Sequence, residues 1–356
     1  MQNIRIELTE NPAQLPEDES ILGFGKRFSD HMFVMDYTVE KGWFDPRIVP
    51  YAPISLYPST MCFHYGQTTF EGLKAYRTEK NEILLFRPQQ NFKRLNISDD
   101  RLCIPKLDEK FCLEALKKLI QIDEKFVPHS KGTSLYIRPF IIATEPQLGA
   151  NSSTQYKFMI ITSPSGVYYS SGLNPVKIYV EDNYVRAVRG GMGMAKTGGN
   201  YAVSLKSQVN AHNNDYSQVL WLDGVERKYI EEVGAMNIFF VIGDEVVTPE
   251  INGSILDGIT RKSMVELLKK EGKKVSERKI SIQEVEDAYE NGELKEVFGT
   301  GTAAVISPVG VLKYKDKVMT INDNKIGEIS KHLYDTLTGI QRGEIEDKFG
   351  WTVKVC

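Results

Sequence analysis

The feature that most constrains this chain is a glycine-rich stretch from Gly190 to Tyr201. It holds five glycines and one charged residue, Lys196. Because glycine weakens helices and strands and lets other groups approach the backbone closely, the stretch predicts a tight loop. A lysine in small, apolar surroundings loses hydration, which favours its neutral amine over the ammonium form. Lys196 is therefore a candidate nucleophile.

Three interpretations of this stretch are open from its residues alone. A neutral lysine amine forms a Schiff base with an aldehyde such as that of pyridoxal phosphate, and the glycines leave room for a ring. The segment from Gly190 to Thr197 also approximates the phosphate-binding pattern G-x-x-x-x-G-K-S/T of nucleotide hydrolases. Ala195 stands where that pattern needs its second glycine, and the two glycines after Thr197 are poor helix formers. The third interpretation is a flexible loop with one exposed lysine.

Length and charge limit the classes of protein that the chain can be. Its 356 residues, 41% of them apolar, predict two folded domains. The net charge of -3 offers no basic surface for nucleic acid. We expect no membrane association, since no run of about 18 apolar residues occurs and the N-terminus has no secretory signal.

The cysteines favour a reducing compartment. Cys62, Cys103, Cys112 and Cys356 are scattered without a C-x-x-C pair, so neither a zinc site nor a disulfide framework is indicated. We therefore expect a cytoplasmic protein without a metal.

Hydrophobic periodicity and turn residues predict the order of the elements. The predicted strands are 31–37, 83–86, 134–143, 156–162, 176–180, 184–188, 219–224 and a run within 229–241. The predicted helices are 87–101, 109–125, 200–212, one starting at 258, and 325–341. Turn-rich residues between them predict a domain of residues 1–164, a linker of 165–176 and a second domain of 177–356.

Four polar features stand out within these elements. Arg94 lies among apolar helix residues, where it either faces solvent or binds a phosphate. Arg138 interrupts an apolar strand, so it is either paired with an acid or presented to a substrate carboxylate. Adjacent strand residues point to opposite faces, so at most one of Glu231 and Glu232 should face inward while the other meets water. The helix start at Gly258 is a possible phosphate site.

Taken together, these segments closely resemble one family, the branched-chain amino acid aminotransferases, over nearly the whole chain. Seven motifs in the family's order carry the resemblance. They are Phe24-Gly25-Lys26, His64-Tyr65 with Phe70-Glu71-Gly72, Arg94, Tyr136-Ile137-Arg138-Pro139, Lys196-Thr197-Gly198-Gly199-Asn200-Tyr201, Glu232-Val233-Gly234 with Asn237-Ile238-Phe239, and Gly299-Thr300-Gly301-Thr302-Ala303.

The resemblance implies a two-domain α+β or α/β protein of fold-type IV, similar to D-amino acid aminotransferase. It has a small N-terminal domain, a larger C-terminal domain, and pyridoxal 5'-phosphate between them. The implied activity is amino transfer between L-leucine, L-isoleucine or L-valine and 2-oxoglutarate. Lys196 is then the Schiff-base lysine and general base, and Glu232 is the partner of the pyridine nitrogen. Tyr201 neighbours the phenolic oxygen, and the phosphate ligands are Arg94, Ile259, Thr260 and Thr302.

The family's substrate pocket and assembly also transfer by position. The implied apolar pocket is lined by Phe24, Phe70, Tyr136, Tyr168 and Ala303. Arg138 is implied to meet the distal carboxylate of glutamate. Tyr65 and Leu148 reach the site from the other subunit in the family, which implies a homodimer.

Some positions depart from the family's pattern, and two other activities share the fold. Ala235 stands where many relatives have threonine, which removes a hydroxyl near the site. The C-x-x-C pair of mammalian relatives falls at Ala304 and Ser307, so we expect no thiol switch there and a microbial enzyme. D-amino acid aminotransferase and aminodeoxychorismate lyase share the lysine and the glutamate, but they lack the Phe24 and Tyr136-to-Pro139 motifs in combination.

Overall fold

The computed structural model describes residues 3–166 and 173–356. They cluster into two compact units that are discontinuous in sequence. The first contains residues 3–166, 195–198 and 339–356, and the second contains residues 173–194 and 199–338. Tyr168 and part of the predicted linker lie outside the described residues. The division into two continuous domains at residues 164 and 177 stays a prediction.

The elements are numbered in chain order. The strands are β1 (Arg5–Ile6), β2 (His31–Thr38), β3 (Gly42–Pro50), β4 (Thr68–Phe70), β5 (Leu73–Arg77), β6 (Ile83–Phe86), β7 (Ser134–Ala143), β8 (Gln155–Ser165), β9 (Val176–Glu181), β10 (Gln218–Leu222), β11 (Ile230–Val233), β12 (Asn237–Ile242), β13 (Glu245–Thr248), β14 (Lys274–Glu277), β15 (Leu294–Gly301), β16 (Val305–Tyr314), β17 (Lys317–Thr320) and β18 (Thr352–Lys354). The α-helices are α1 (Met61–Tyr65), α2 (Pro88–Arg101), α3 (Glu109–Ile122), α4 (Gly198–Ala202), α5 (Leu205–His212), α6 (Ile259–Lys270), α7 (Ile282–Glu290) and α8 (Glu328–Gln341). Short 3-10 helices occur at Glu19–Ile21, Glu124–Phe126 and Asn322–Asn324.

Each unit is built on one mixed sheet. The strand order of the first is β1-β3-β2-β8-β7-β5-β6-β18, and β4 pairs with β7. The order of the second is β11-β10-β9-β16-β15-β12-β13-β14, and β17 pairs with β16. The strand β18 comes from the last residues of the chain, yet it pairs with β6 in the first sheet.

The long strand β7 separates a core face from a face that carries polar residues. Leu135, Ile137 and Ile141 are fully buried in the first core, together with residues of α2 and α3. Tyr136 and Arg138 alternate with them and are half-buried. Because strand side chains alternate between the two faces, Tyr136 and Arg138 share the face opposite to this core.

The helix α3 begins at Glu109 as predicted, and α2 begins one residue after its predicted start at 87. Pro88 is the first residue of α2, and its fixed φ and missing N–H suit that position. Asp108 caps α3 by accepting hydrogen bonds from the N–H groups of Lys110 and Phe111. Leu95 of α2 and Leu116 of α3 meet in the first core.

Two predicted helices are shorter in the structure, where α3 ends at Ile122 and α8 begins at Glu328. Three other predicted elements differ in kind. Residues 184–188 form no strand, because the Glu181 carboxylate accepts the N–H groups of Asn183 and Tyr184 and ends β9. The helix predicted at 200–212 is two helices, α4 and α5, because the Ser204 N–H and hydroxyl both bond to the Tyr201 carbonyl. The run within 229–241 is a hairpin of β11 and β12, which turns at Gly234 with φ +57°.

Candidate active site

The backbone of Lys196 is fixed on both sides within the first unit. Its N–H donates to the Ser98 hydroxyl at 2.8 Å, and its carbonyl accepts the Phe70 N–H at 3.0 Å. A β-bridge joins Thr197 to Thr69 beside it. The Lys196 Nζ lies 5.0 Å from the centroid of the Phe70 ring. These contacts hold the lysine backbone in place, unlike that of a freely moving glycine loop.

The structure explains why glycine stands at two positions of this stretch, Gly190 and Gly193. Gly190 has φ +80°, a left-handed conformation that disfavours other residues. A Cβ on Gly193 would lie 2.0 Å from the carbonyl oxygen of Ser254, so this position has no room for a side chain. The left-handed backbone conformation accounts for glycine at Gly190, and close packing accounts for glycine at Gly193.

Arg94 forms a buried ion pair that the sequence did not predict. Its Nε donates to Glu71 Oε1 at 2.7 Å and its Nη2 donates to Oε2 at 2.8 Å. Glu71 is fully buried and also accepts a hydrogen bond of 2.8 Å from the Asn91 side chain. Burial opposes the charge of Glu71, but Arg94, Lys196 and Asn91 outweigh it and hold the pKa of this carboxyl below its ordinary value. Glu71 is therefore a carboxylate.

A second acid, Asp99, lies near this pair and forms no ion pair with a described cation. It is fully buried, and its Oδ1 accepts the Thr69 hydroxyl. Its Oδ2 has no hydrogen-bond partner among the described residues. Burial raises the pKa of Asp99 to about 8; the Thr69 hydroxyl opposes the rise and the charge of Glu71 adds to it. Asp99 is thus mainly protonated at neutral pH.

An aromatic surface surrounds Arg138 on the polar face of the first sheet. Phe24 contacts Tyr136 edge to face, with their centroids 4.9 Å apart. The Arg138 Nη2 donates to the Tyr136 hydroxyl at 3.0 Å, and the guanidinium lies 4.8 Å from the Phe70 ring centroid. Its Nε is buried and has no acceptor in the described part of the chain. No described acid forms an ion pair with Arg138, so the contacts do not support the structurally paired alternative.

The close approach of Tyr136 depends on Gly72. A Cβ on Gly72 would lie 2.3 Å from the Tyr136 hydroxyl oxygen. A side chain at this position would therefore displace Tyr136, and with it the hydrogen bond from Arg138.

Tyr65 and Leu148 lie together on an exposed surface of the first unit. The Tyr65 hydroxyl donates to the Leu148 carbonyl. The exposed fractions are 43% for Tyr65 and 65% for Leu148. Both are large apolar groups in contact with solvent.

In the second unit, both glutamates of β11 are buried, so the prediction that one of them meets water is wrong. Glu231 and Glu232 are each 3% exposed. Glu232 accepts the Leu256 N–H at 2.7 Å and lies 3.3 Å from Arg186 Nη2. Glu231 accepts the Ser254 hydroxyl and lines a cleft that is open to solvent. The segment 254–256 thus supplies a donor to each side chain, the Ser254 hydroxyl to Glu231 and the Leu256 N–H to Glu232, and both carboxyl groups are buried against it.

Glu231 resembles Asp99 in its electrostatics. Burial raises the pKa of Glu231 above its ordinary value, although the Ser254 hydroxyl and Arg186 act against that rise. Its Oε2 has no hydrogen-bond partner within the described residues.

The start of α6 offers backbone donors to an anion. Gly258 is the N-cap and supplies no side-chain cap, so the first-turn N–H groups at Ile259 and Thr260 are not satisfied in that way. A Cβ on Gly258 would lie 1.9 Å from Asn237 Oδ1, which explains the glycine. The Thr300 hydroxyl in the same unit is buried and has no partner among the residues described.

The remaining predicted residues of this unit are half-buried. Thr302 and Ala303 lie in the turn between β15 and β16, and Tyr201 lies in α4.

Three functional neighbours have only weak signals in the sequence. Glu71 and Ser98 contact Arg94 and Lys196, and Arg186 contacts Glu232. Glu71 stands within a recognised motif between Phe70 and Gly72, which is the only sign that it is special. Ser98 and Arg186 look like ordinary polar residues until the chain is folded.

The class of protein follows from the two-sheet fold and from a direct match of the sequence. Residues 68–311 match the family described as amino-transferase class IV. The chain belongs to this family, and its architecture is the predicted fold-type IV. Members of this fold type use pyridoxal phosphate, so a nucleotide-hydrolase function for Gly190 to Thr197 is not supported.

Relatives narrow the similarity further. The chain is 60% identical to branched-chain-amino-acid aminotransferase 2 of Bacillus subtilis, over 100% of this chain and 98% of the relative. It is 50% identical to the branched-chain-amino-acid aminotransferase of Mycolicibacterium smegmatis, over 97% and 96% of the two chains. The Escherichia coli branched-chain amino acid aminotransferase structure has a TM-score of 0.77 at 27% identity, covering 92% of this chain and 99% of that one. The Thermobaculum terrenum enzyme in its PLP-form shares the fold, with a TM-score of 0.76 at 20% identity, covering 91% and 98%.

Each unit by itself carries groups that suit part of a phosphorylated pyridine aldehyde. The first unit offers a lysine amine and a buried arginine. The second unit offers a buried carboxylate, an uncapped helix start and the unpartnered Thr300 hydroxyl. Backbone N–H groups at a helix start bind phosphate without a charged side chain.

Proposed function

We propose that this protein transfers the amino group between L-leucine, L-isoleucine or L-valine and 2-oxoglutarate. The products are branched-chain 2-oxo acids and L-glutamate. The observation that carries the proposal is the full-length similarity to relatives of that activity, 60% identical in the first case. The hydrogen bonds of the Lys196 backbone to Ser98 and Phe70 also support the proposal, because they hold the proposed Schiff-base lysine in place.

Pyridoxal 5'-phosphate supplies an aldehyde carbon and a ring that accepts the electrons of the substrate's Cα–H bond. We assign its binding to the seven residues that the family resemblance implies. They are Arg94, Lys196, Tyr201, Glu232, Ile259, Thr260 and Thr302. Arg94 and the first N–H groups of α6 attract the phosphate, because both present positive charge or partial charge to an anion.

Glu232 serves the ring nitrogen in this proposal. A carboxylate at that position keeps the nitrogen protonated and so favours electron withdrawal by the ring. The contacts to Arg186 and to the Leu256 N–H orient the Glu232 side chain. We assign no direct part to Glu231, whose Oε1 accepts the Ser254 hydroxyl and whose pKa is raised by burial.

Lys196 acts as the anchor and then as the proton carrier. With the cofactor bound, the Lys196 Nζ would take the proton from the substrate's Cα and would later release it at the cofactor's aldehyde carbon. Because Ser98 and Phe70 hold the lysine backbone, the amine moves by side-chain rotation alone. A base held in this way needs little reorganisation between the two proton transfers.

The substrate side chain meets an aromatic surface with one cation. We assign the apolar pocket to Phe24, Phe70, Tyr136, Tyr168 and Ala303. Arg138 meets the distal carboxylate of glutamate or 2-oxoglutarate; its buried Nε without a described acceptor supports this role. One pocket can thus accept a branched chain or a carboxylate.

We also propose a homodimer in which Tyr65 and Leu148 contribute to the partner's site. Their exposure supports the proposal, as does that of nearby Tyr57 and Phe63 in sequence, 72% and 62% exposed. Large apolar side chains in solvent are typical of association surfaces.

No helix among residues 3–166 and 173–356 has the length and apolar character to cross a membrane. We place the enzyme in the cytoplasm, and its four unpaired cysteines support that assignment.

An absorbance spectrum of the purified protein tests the proposed activity. We expect a visible cofactor band that shifts to shorter wavelength when L-leucine, L-isoleucine or L-valine is added. The band should be absent in Lys196→Ala and present in Lys206→Ala, a control at an exposed lysine of α5. A shift with D-alanine alone would contradict the branched-chain assignment. Release of pyruvate from aminodeoxychorismate without an oxo-acid acceptor would indicate the lyase.

A further inference from the structure

The first unit holds two cations of the proposed site, Arg94 and Lys196, near one buried carboxylate. We propose that Glu71 is their shared counter-ion and positions both for the cofactor. This inference rests on the function proposed above. Glu71 is a positioning residue in it, since it acts through Arg94 and Lys196.

The contact with Arg94 fixes the plane of the guanidinium. Glu71 takes donors from both Nε and Nη2, at 2.7 and 2.8 Å. A guanidinium has five N–H donors in a rigid fork, so two parallel bonds along one edge determine where the others point. Asn91 and the Gly72 N–H in turn hold Glu71 Oε2, at 2.8 and 3.2 Å. The carboxylate is therefore itself immobile.

The link to Lys196 runs along two short paths. Phe70, the residue before Glu71, donates its N–H to the Lys196 carbonyl and places its ring beside the lysine Nζ. The Ser98 hydroxyl donates to the Arg94 carbonyl at 3.0 Å and accepts the Lys196 N–H at 2.8 Å. One hydroxyl thus joins the backbone of the phosphate-binding cation to that of the Schiff-base lysine.

Charge balance explains why a glutamate is needed here. Two cations in a partly buried site repel each other, and an anion near both offsets that repulsion. The lowered pKa of Glu71 agrees with this arrangement, because Arg94 is its largest favourable influence and Lys196 also contributes. Glu71 therefore keeps both cations in place before the phosphate arrives, which reduces the ordering that binding requires.

The first experiment measures Lys196 directly in cofactor-free protein. An amine-reactive reagent modifies the neutral amine only, and peptide mass spectrometry gives the rate at Lys196. We expect Glu71→Gln to speed this labelling by about threefold or more at neutral pH, because the ammonium form loses a nearby anion. Asp123→Asn is the matched control. Asp123 is 1% exposed in the same unit and binds His31 instead of either cation, so its rate should stay at the wild-type value.

The second experiment measures the affinity for pyridoxal 5'-phosphate by fluorescence titration of the same proteins. We expect Glu71→Gln to weaken binding about tenfold, because Arg94 loses two charge-assisted hydrogen bonds that orient it. Glu71→Asp retains the charge, so its labelling rate should approach that of wild type. The shorter aspartate side chain cannot keep both bonds to Arg94. The affinity of Glu71→Asp for pyridoxal 5'-phosphate should therefore lie between those of wild type and Glu71→Gln.

The outcomes separate positioning from stability. If Glu71→Gln changes neither labelling nor affinity by more than about twofold while its melting temperature falls as in Asp123→Asn, Glu71 is only structural and the inference is wrong. Should Glu71→Gln not fold, wild-type affinity in Glu71→Asp would overturn the inference, and reduced affinity would support it. If wild-type protein binds no pyridoxal phosphate, the proposed function fails. The labelling comparison would then still decide whether Glu71 controls Lys196.

Discussion

Two buried arginine–carboxylate pairs, one in each unit, have the same parts but different geometry. Glu71 and Arg94 share two hydrogen bonds of 2.7 and 2.8 Å. The Glu232 carboxylate lies 3.3 Å from Arg186 Nη2 and accepts the Leu256 N–H. The first geometry is a bidentate ion pair, which is typical of a fixed side chain. We infer that the first pair positions Arg94, and we assign Glu232 of the second pair to the ring nitrogen, as proposed above.

Each pair also has a second buried acid beside it. Asp99 near Glu71 and Glu231 next to Glu232 both accept a hydroxyl and both have a raised pKa. Each also has one oxygen with no described partner. A buried site with one arginine can balance one carboxylate, so the neighbouring acid is driven toward its neutral form.

The largest effect should come from removing the charge of Glu232. We expect Glu232→Gln to lower kcat for L-leucine by about 10²-fold to 10³-fold, because the ring nitrogen loses its anionic partner. The melting temperature should also fall, because buried Arg186 loses its anionic partner, although glutamine can still accept the Leu256 N–H. Steady-state kinetics and thermal melting measure the two effects. The matched control is Glu231→Gln, which should retain activity within about threefold; an equal loss there would contradict the division of roles between the two acids.

The next effect should appear when the fixed pair is broken. Arg94→Met leaves the fully buried Glu71 without its main counter-ion. We expect the free energy of unfolding of the cofactor-free protein to fall by about 3 to 5 kcal/mol in urea titrations. The double variant Arg94→Met/Glu71→Leu should recover at least half of the loss, since no unpaired charge remains. If the double variant recovers none of the lost free energy of unfolding, packing around Arg94 and Glu71, and not their ion pair, determines the stability there.

The last effect concerns Asp99 and appears only as a change of stability with pH. Its pKa rises from 3.8 to about 8 on folding, so between these values the folded chain keeps a proton that the unfolded chain has lost. Stability should therefore fall as pH increases across this window, by at most about 1.4 kcal/mol per pH unit. Asp99→Asn removes the titration, so its stability relative to wild type should improve from pH 4 to pH 8. Urea unfolding at several pH values measures the slope, and parallel curves would show that Asp99 is ionised in the folded protein.

Local patterns were sufficient for much of the fold. The strand Ser134–Ala143 and the helix Pro88–Arg101 follow from residue periodicity and from Pro88, both local features. The break between α4 and α5 did not follow, because one serine bonding to one carbonyl is not visible as a pattern. The hairpin at Gly234 was missed because an apolar run on both sides concealed the turn.

For the candidate site, too, residues with a local signal were predicted and their long-range partners were not. Lys196 and Arg94 stand out in the sequence because each is a charge among small or apolar residues. Their partners do not, since Glu71 and Arg94 are 23 residues apart and Ser98 and Lys196 are 98 apart. Long-range contacts of this kind are determined by tertiary packing. The burial of both Glu231 and Glu232 is another example, because a covering segment overrides the strand alternation.

The pairing of β18 with β6 can form only late in the synthesis of the chain. Lys354 of β18 and Glu82 beside β6 are 272 residues apart, and the whole second unit is translated between them. Domains often fold as they emerge from the ribosome, but this sheet lacks an edge strand until β18 appears. The backbone groups of β6 on that side stay open to wrong partners during synthesis. We therefore expect chains released early by the ribosome to aggregate through the first sheet, even when their second unit is complete.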